Sequence, residues 1–148
     1  MVAGLLAACG GSSPTPVARA PITSTPYPQS TPLVSPMLGV GPGNSGITGD
    51  VEVVKGSDAF TLTIRVHGLP PNSNHVSHIH LGSCEVNGAI DVPLQTLAAD
   101  ANGNATSITS VQKPYQIPPA GWYANVNQGP DLQGDDAKSM ACGDLKAA

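Results

Sequence analysis

The alternation between Phe60 and His67 constrains the fold of this chain more than any other feature. Phe60, Leu62, Ile64 and Val66 are apolar, and Thr61, Thr63, Arg65 and His67 between them are polar. A period of two places the first set on one face of a β-strand and the second on the other, so this is a half-buried strand. Gly68-Leu69-Pro70-Pro71-Asn72 breaks it. A second alternation follows, with Ile79 and Leu81 on the core side and His78 and His80 opposite. Leu94–Ala98 and Ala105–Val111 read as further strands, separated by the turn Asp100-Ala101-Asn102-Gly103. Trp122–Val126 and Ala141–Leu145 complete the set. No stretch carries a helical period. Short strands spaced by Gly, Pro and Asn turns predict an all-β sandwich or barrel.

Composition narrows the function classes. Charged residues make up 11% of the chain and the net charge is -4. A nucleic-acid partner needs a basic surface, as does electrostatic docking on a membrane, so both are excluded. Aromatics are 3%, which leaves Val, Ile, Leu and Ala to build the core.

The N-terminal third is organised differently. Leu6-Ala7-Ala8-Cys9 followed by Gly10 has the form of a lipobox, in which small residues precede a cysteine that becomes diacylated. The apolar run before it is shorter than a full signal peptide and has no basic start. Pro14, Pro16, Pro21, Pro26, Pro28, Pro32, Pro36 and Pro42 then recur among Ser and Thr. Proline fixes φ and withholds a donor, so this stretch reads as an extended tether reaching about 3 Å per residue. The division is 1–9 lipoprotein signal, 10–45 tether and 46–148 folded domain, with Gly39–Gly46 as a hinge. The expected location is extracytoplasmic, with membrane attachment through Cys9. Setting Cys9 aside leaves Cys84 and Cys142, either a disulfide suited to an oxidising compartment or two buried free thiols.

Chemistry concentrates in the histidines. All four lie between His67 and His80. His78 and His80, two apart on a strand, project from one face and can approach one ion. Imidazole donors suit copper, zinc or nickel, with copper(II) bound most tightly of the divalent ions. A pair of solvated surface histidines is the competing reading. Asp131, Asp135, Asp136 and Asp144 lack the spacing of a calcium loop, and no Gly-x-Ser-x-Gly elbow is present.

His75-Val76-Ser77-His78-Ile79-His80, followed by Gly82 and Cys84, resembles the metal strand of the copper/zinc superoxide dismutases. Leu97–Ala105 is similar to the hairpin that follows that family's zinc loop. Tyr123–Gly129 stands where its later copper-ligand strand would be, and Ser139-Met140-Ala141-Cys142-Gly143 is similar to its second disulfide segment. The run from Gly68 to Gly82 also resembles the CHRD domain. The resemblance implies a Greek-key β-sandwich or flattened barrel, copper ligands at His78 and His80, a bracing role for His75, and a Cys84–Cys142 disulfide. The departures are equally specific. No histidine between Cys84 and Leu97 can bridge copper to zinc, and the zinc ligands are missing, so zinc is not expected. The fourth copper ligand falls at Asn127, and the anion-guiding arginine falls at Ser139 beside Lys138. His67 is the remaining candidate ligand. Two imidazoles suffice for copper(I), whereas copper(II) prefers about four N or O ligands. Three readings follow: a copper-binding module, a minimal copper-only dismutase acting on superoxide, and a structural or adhesive sandwich without metal.

Overall fold

The computed structural model describes residues 30–147. Ten strands are found among them: β1 (Leu33–Gly39), β2 (Thr48–Lys55), β3 (Phe60–His67), β4 (Asn74–His75), β5 (Ser77–Gly82), β6 (Asn87–Pro93), β7 (Leu97–Ala98), β8 (Ala105–Val111), β9 (Trp122–Asn127) and β10 (Ser139–Asp144). The one helical element among these residues is a single 3-10 turn, Gly134–Ala137. Eight strands form one antiparallel sheet in the order β6-β5-β9-β10-β1-β2-β3-β8, and β4 pairs with β7.

The alternation in β3 behaves as its sequence demands. Phe60, Leu62, Ile64 and Val66 are buried, Thr61 and Arg65 are half-buried and His67 is exposed, while Thr63 on the polar face is buried as well. Their partners in register on β2 include Val51 and Val53, also core residues. The facing half of the core comes from β5 and β9, through Ile79, Ala124 and Val126. The sheet therefore curls over a filling of mostly β-branched and small side chains. Its two edge strands meet: Lys113, just past β8, pairs with Asp91 of β6 at 2.9 Å, and the Gln95 N–H donates to Thr109 Oγ1 at 2.9 Å. The chain crosses from β3 to β5 and from β8 back to β9, between opposite ends of the sheet. This is a flattened barrel with Greek-key connections.

The turn at Asp100–Gly103 forms as expected. The Asp100 carboxylate accepts from the N–H groups of Asn102 and Asn104 at 2.8 and 2.9 Å. Gly103 has φ +76, and a Cβ there would lie 2.2 Å from the Leu69 carbonyl oxygen. That turn needs glycine for both reasons.

Three assignments are corrected. Residues 33–39, assigned to the tether, are strand β1, paired with β2 from Leu33↔Val53 to Leu38↔Thr48. Ser35 and Met37 face inward and are buried. Pro36 is tolerated because β1 pairs with β10 only at Leu38 and Gly39. On that open side the Val34 carbonyl takes its hydrogen bond from Lys146 Nζ instead, so a missing donor at Pro36 breaks no ladder. The Gly39–Gly46 stretch is not a hinge but a tied connection. The N–H of Gly39 donates to Ile47 and that of Ile47 to Asn44, and Asn44 Nδ2 donates to the Val40 carbonyl. Further along, Leu94–Ala98 reduces to Leu97–Ala98. Residues 1–29, with Cys9 and most of the tether, lie outside the described residues.

Cys84 and Cys142 are joined by a disulfide, with Cα atoms 5.8 Å apart and 58 residues between them in sequence. It staples the tip of the β5–β6 hairpin to β10. The Cys84 N–H donates to Asp144 Oδ1 at 2.7 Å beside it.

Candidate metal centre

Strand β5 lies between β6 and β9. Its core side is held by Ile79, opposite Ala124, so the neighbouring residues must face outward. In register, His78 stands opposite Asn125 and His80 opposite Tyr123. One strand further, Asn125 stands opposite Cys142 and Asn127 opposite Ser139. Residues paired across a sheet share a face. Both histidines, both asparagines, Tyr123, Ser139 and the disulfide cysteine therefore occupy one outer face.

The two imidazoles are 5.8 Å apart between centroids, with their planes nearly perpendicular at 87°. His80 Nδ1 lies 3.0 Å from the Gly88 carbonyl. A carbonyl only accepts, so this nitrogen carries the proton and Nε2 is left with a free lone pair. Tyr123 stacks on the same ring, with centroids 5.0 Å apart and planes 24° from parallel. Its hydroxyl is tied to Asn87 Oδ1 at 3.3 Å. The Gly88 carbonyl reaches His80 because residue 88 has no side chain: a Cβ would meet the Leu81 carbonyl oxygen at 2.2 Å.

His80 Nε2 and His78 Nδ1 are both buried, and neither has a hydrogen-bond partner. Leaving a buried polar atom unpaired costs about 1–3 kcal/mol; Ser107 Oγ and Trp122 Nε1 are unpaired as well, but the two imidazole nitrogens belong to neighbouring side chains on one face of β5. A lone pair held without a proton or a donor is what a metal ligand presents, and a second hydrogen bond that fixes the tautomer is its usual support. The pair fits copper on this ground. Zinc is a poorer fit, since its sites supply three or four protein donors. Among the described residues no group of three or more His, Cys, Asp and Glu side chains converges to hold an ion.

The remaining predicted residues divide. His75 is fully buried, with Nδ1 donating to the Asn127 carbonyl at 2.9 Å and Nε2 facing Ser73 Oγ at 2.6 Å. Asn127 does reach the site, but both ends of its amide are engaged. Nδ2 donates to the Ala137 carbonyl at 2.7 Å, and Oδ1 accepts from Asn125 Nδ2 at 3.2 Å. Ser139 in turn donates to Asn125 Oδ1. His67 is not brought in: β3 lies five strands from β5, and its Nδ1 pairs with Asn104 Oδ1 at 2.8 Å. Lys138 does not line the site either. It is 65% exposed and paired with Asp135 at 2.5 Å.

Beside His80 is a hollow of about 220 Å³, lined by Asn87, Tyr123, Asn125, Asn127 and Ser139 with the histidine. Apart from the histidine, these walls are uncharged. Asn125 and Tyr123 were not anticipated as site residues. The signal was present in β9, where Tyr123, Asn125 and Asn127 alternate with Trp122, Ala124 and Val126.

Burial, the largest cause, holds the pKa of His78 below the usual histidine value of 6.5. The charge of His80 works in the same direction, and the Asn127 side chain works against both. A folded-state pKa below the unfolded one means the unfolded chain binds the proton first. The contribution of neutral His78 to stability is complete above 6.5 and is lost as pH falls toward the folded-state value. The metal-free protein should therefore lose thermal stability as pH drops through that window. A His78→Gln variant should lose less, which paired melting curves would show; parallel curves would contradict the assignment.

A Greek-key β-sandwich with two outward histidines on one strand defines a class, and comparison with solved structures places it. The fold is that of the copper/zinc superoxide dismutases. A Cu/Zn superoxide dismutase from Brucella abortus aligns over 78% of this chain and 100% of its own, at 18% identity and a TM-score of 0.55. An SOD-like protein from Bacillus subtilis aligns over 76% of this chain and 97% of its own, at 15% identity and a TM-score of 0.61. No protein-family model and no curated protein sequence matches the chain. The resemblance read from the sequence thus holds at the level of fold.

Proposed function

We propose that this protein is an extracytoplasmic copper-binding domain on the superoxide dismutase fold, lipid-anchored through Cys9 and lacking a full dismutase site. The observation that carries the reading is the pair of buried nitrogens without partners, His78 Nδ1 and His80 Nε2. A purely structural or adhesive sandwich has no use for two such atoms side by side. The disulfide supports the location, because such bonds persist in oxidising compartments.

Copper, when bound, would supply a soft Lewis acid able to change oxidation state. The protein's own residues do the rest. His78 and His80 provide the donors, the Gly88 carbonyl sets the tautomer of His80, and Tyr123 covers one face of its ring. His75 holds the backbone at Asn127, and so the floor of the hollow. Dismutation would also need a cation to draw in superoxide. The neutral lining and the Lys138–Asp135 pair argue against fast turnover.

The test is a competitive copper titration of the full chain, beside a variant carrying His78→Ala and His80→Ala. One copper per chain at submicromolar affinity, lost in the variant, is the expected result. Binding that survives the double substitution, or no binding in the wild type, would refute the proposal.

A further inference from the structure

Resting on the copper reading above, we infer that this site selects copper(I) over copper(II) and holds the ion through His78 and His80 alone. The donors of the surrounding side chains are engaged elsewhere. The amide of Asn127 stands beside His78 but is engaged at both ends, and that of Asn125 bridges Asn127 and Ser139. Tyr123 is tied to Asn87. The sulfurs of Cys84 and Cys142 are locked in the disulfide, and Met37 and Met140 are buried in the core. No carboxylate, thiolate or third imidazole converges on the pair among the described residues.

The two ligating nitrogens are themselves buried, and His78 as a whole is 8% exposed. Copper(II) prefers about four N or O ligands in a tetragonal array. Recruiting them from neighbouring side chains would mean breaking the Asn125–Asn127–Ala137 chain. Copper(I) is a closed-shell ion satisfied by two imidazoles.

Charge points the same way. The hollow beside His80 has no carboxylate in its lining, so none offsets a buried ion. The cost of burying an ion without counter-charge rises with the square of its charge. A dication is therefore penalised far more than a monocation. Donor count and electrostatics each favour the reduced ion.

A dismutase passes through both oxidation states in each turnover. A site that holds only one of them stores or carries copper, and keeps it reduced in a compartment that would otherwise oxidise it.

The experiment measures the two ions separately on the full chain: copper(I) without oxygen against a chromogenic copper(I) chelator, and copper(II) against a copper(II) chelator. X-ray absorption of the copper(I) complex and paramagnetic resonance of the copper(II) sample complete it. Copper(I) should bind roughly a thousandfold more tightly, with two nitrogen neighbours in the absorption spectrum. Equal or tighter copper(II) binding, lost in the His78→Ala, His80→Ala variant and showing three or more nitrogens by resonance, overturns the selectivity and leaves the copper site standing. Failure to bind either ion overturns both.

Discussion

Replacing Cys84 and Cys142 together by serine should lower the free energy of unfolding by about 4 kcal/mol, the chain-entropy value for the 58-residue separation the disulfide spans. For a domain of this size that is a fall of roughly 15 °C in the melting midpoint. The size follows from what the bond joins. Cys84 lies at the tip of the β5–β6 hairpin and Cys142 on β10, and β9 is the strand between β5 and β10. Without the bond, the hairpin tip keeps the hydrogen bond from the Cys84 N–H to Asp144 and little else across that gap. Urea unfolding of the oxidised protein and the variant measures the difference. A loss below about 1 kcal/mol would mean that the reduced, unfolded chain is already restrained.

Phe60→Ala should cost a similar amount, about 3–5 kcal/mol. Phe60 is 2% exposed. Its ring meets Tyr115 edge-on at 5.2 Å and Trp122 at 6.0 Å, and Lys113 lies 4.7 Å above the indole. The chain has one Phe and one Trp, so this cluster holds most of the aromatic surface that closes one end of the barrel. Tyr115 is partly buried, and that burial pushes its hydroxyl pKa up to about 12; the hydroxyl donates to the Lys146 carbonyl at 2.8 Å. Truncating Phe60 leaves both neighbours against a void. Phe60→Leu keeps most of the volume and should cost less than about 1.5 kcal/mol. Trp122, the single tryptophan, reports the transition by fluorescence. Equal losses in the two variants would show that the site collapses freely around either.

The residues that declared the fold were those whose two faces differ chemically. β3 alternates Val and Ile with Thr and Arg, and β8 and β9 are nearly as clear, so their positions could be read directly. β6 was not legible. Five of its seven residues are consecutive exposed positions, as befits a sheet edge, and an edge strand with one buried apolar residue carries no alternation. β1 was hidden by Pro32 and Pro36, which continue the rhythm of the preceding prolines. Its inward face is Leu33, Ser35 and Met37 rather than a run of β-branched residues. The site was legible in part for the same reason. A His-x-His motif on a strand declares its face, so His78 and His80 could be placed from spacing. The neutral amides could not, because the register that sets Asn125 against His78 is a property of the pairing between strands. His67 illustrates the converse: it lies on the outer face of its strand as expected, but sheet order puts it on the far side of the barrel.

The account rests on two imidazole nitrogens kept free for an ion, and the most direct measurement is a crystal structure of the full chain grown with copper, with diffraction collected on both sides of the copper absorption edge. One anomalous peak within bonding distance of both His78 Nδ1 and His80 Nε2, with no other side chain in the coordination sphere, is the predicted result. A peak elsewhere on the surface, or a fully loaded crystal in which those two nitrogens remain unbound, would contradict it.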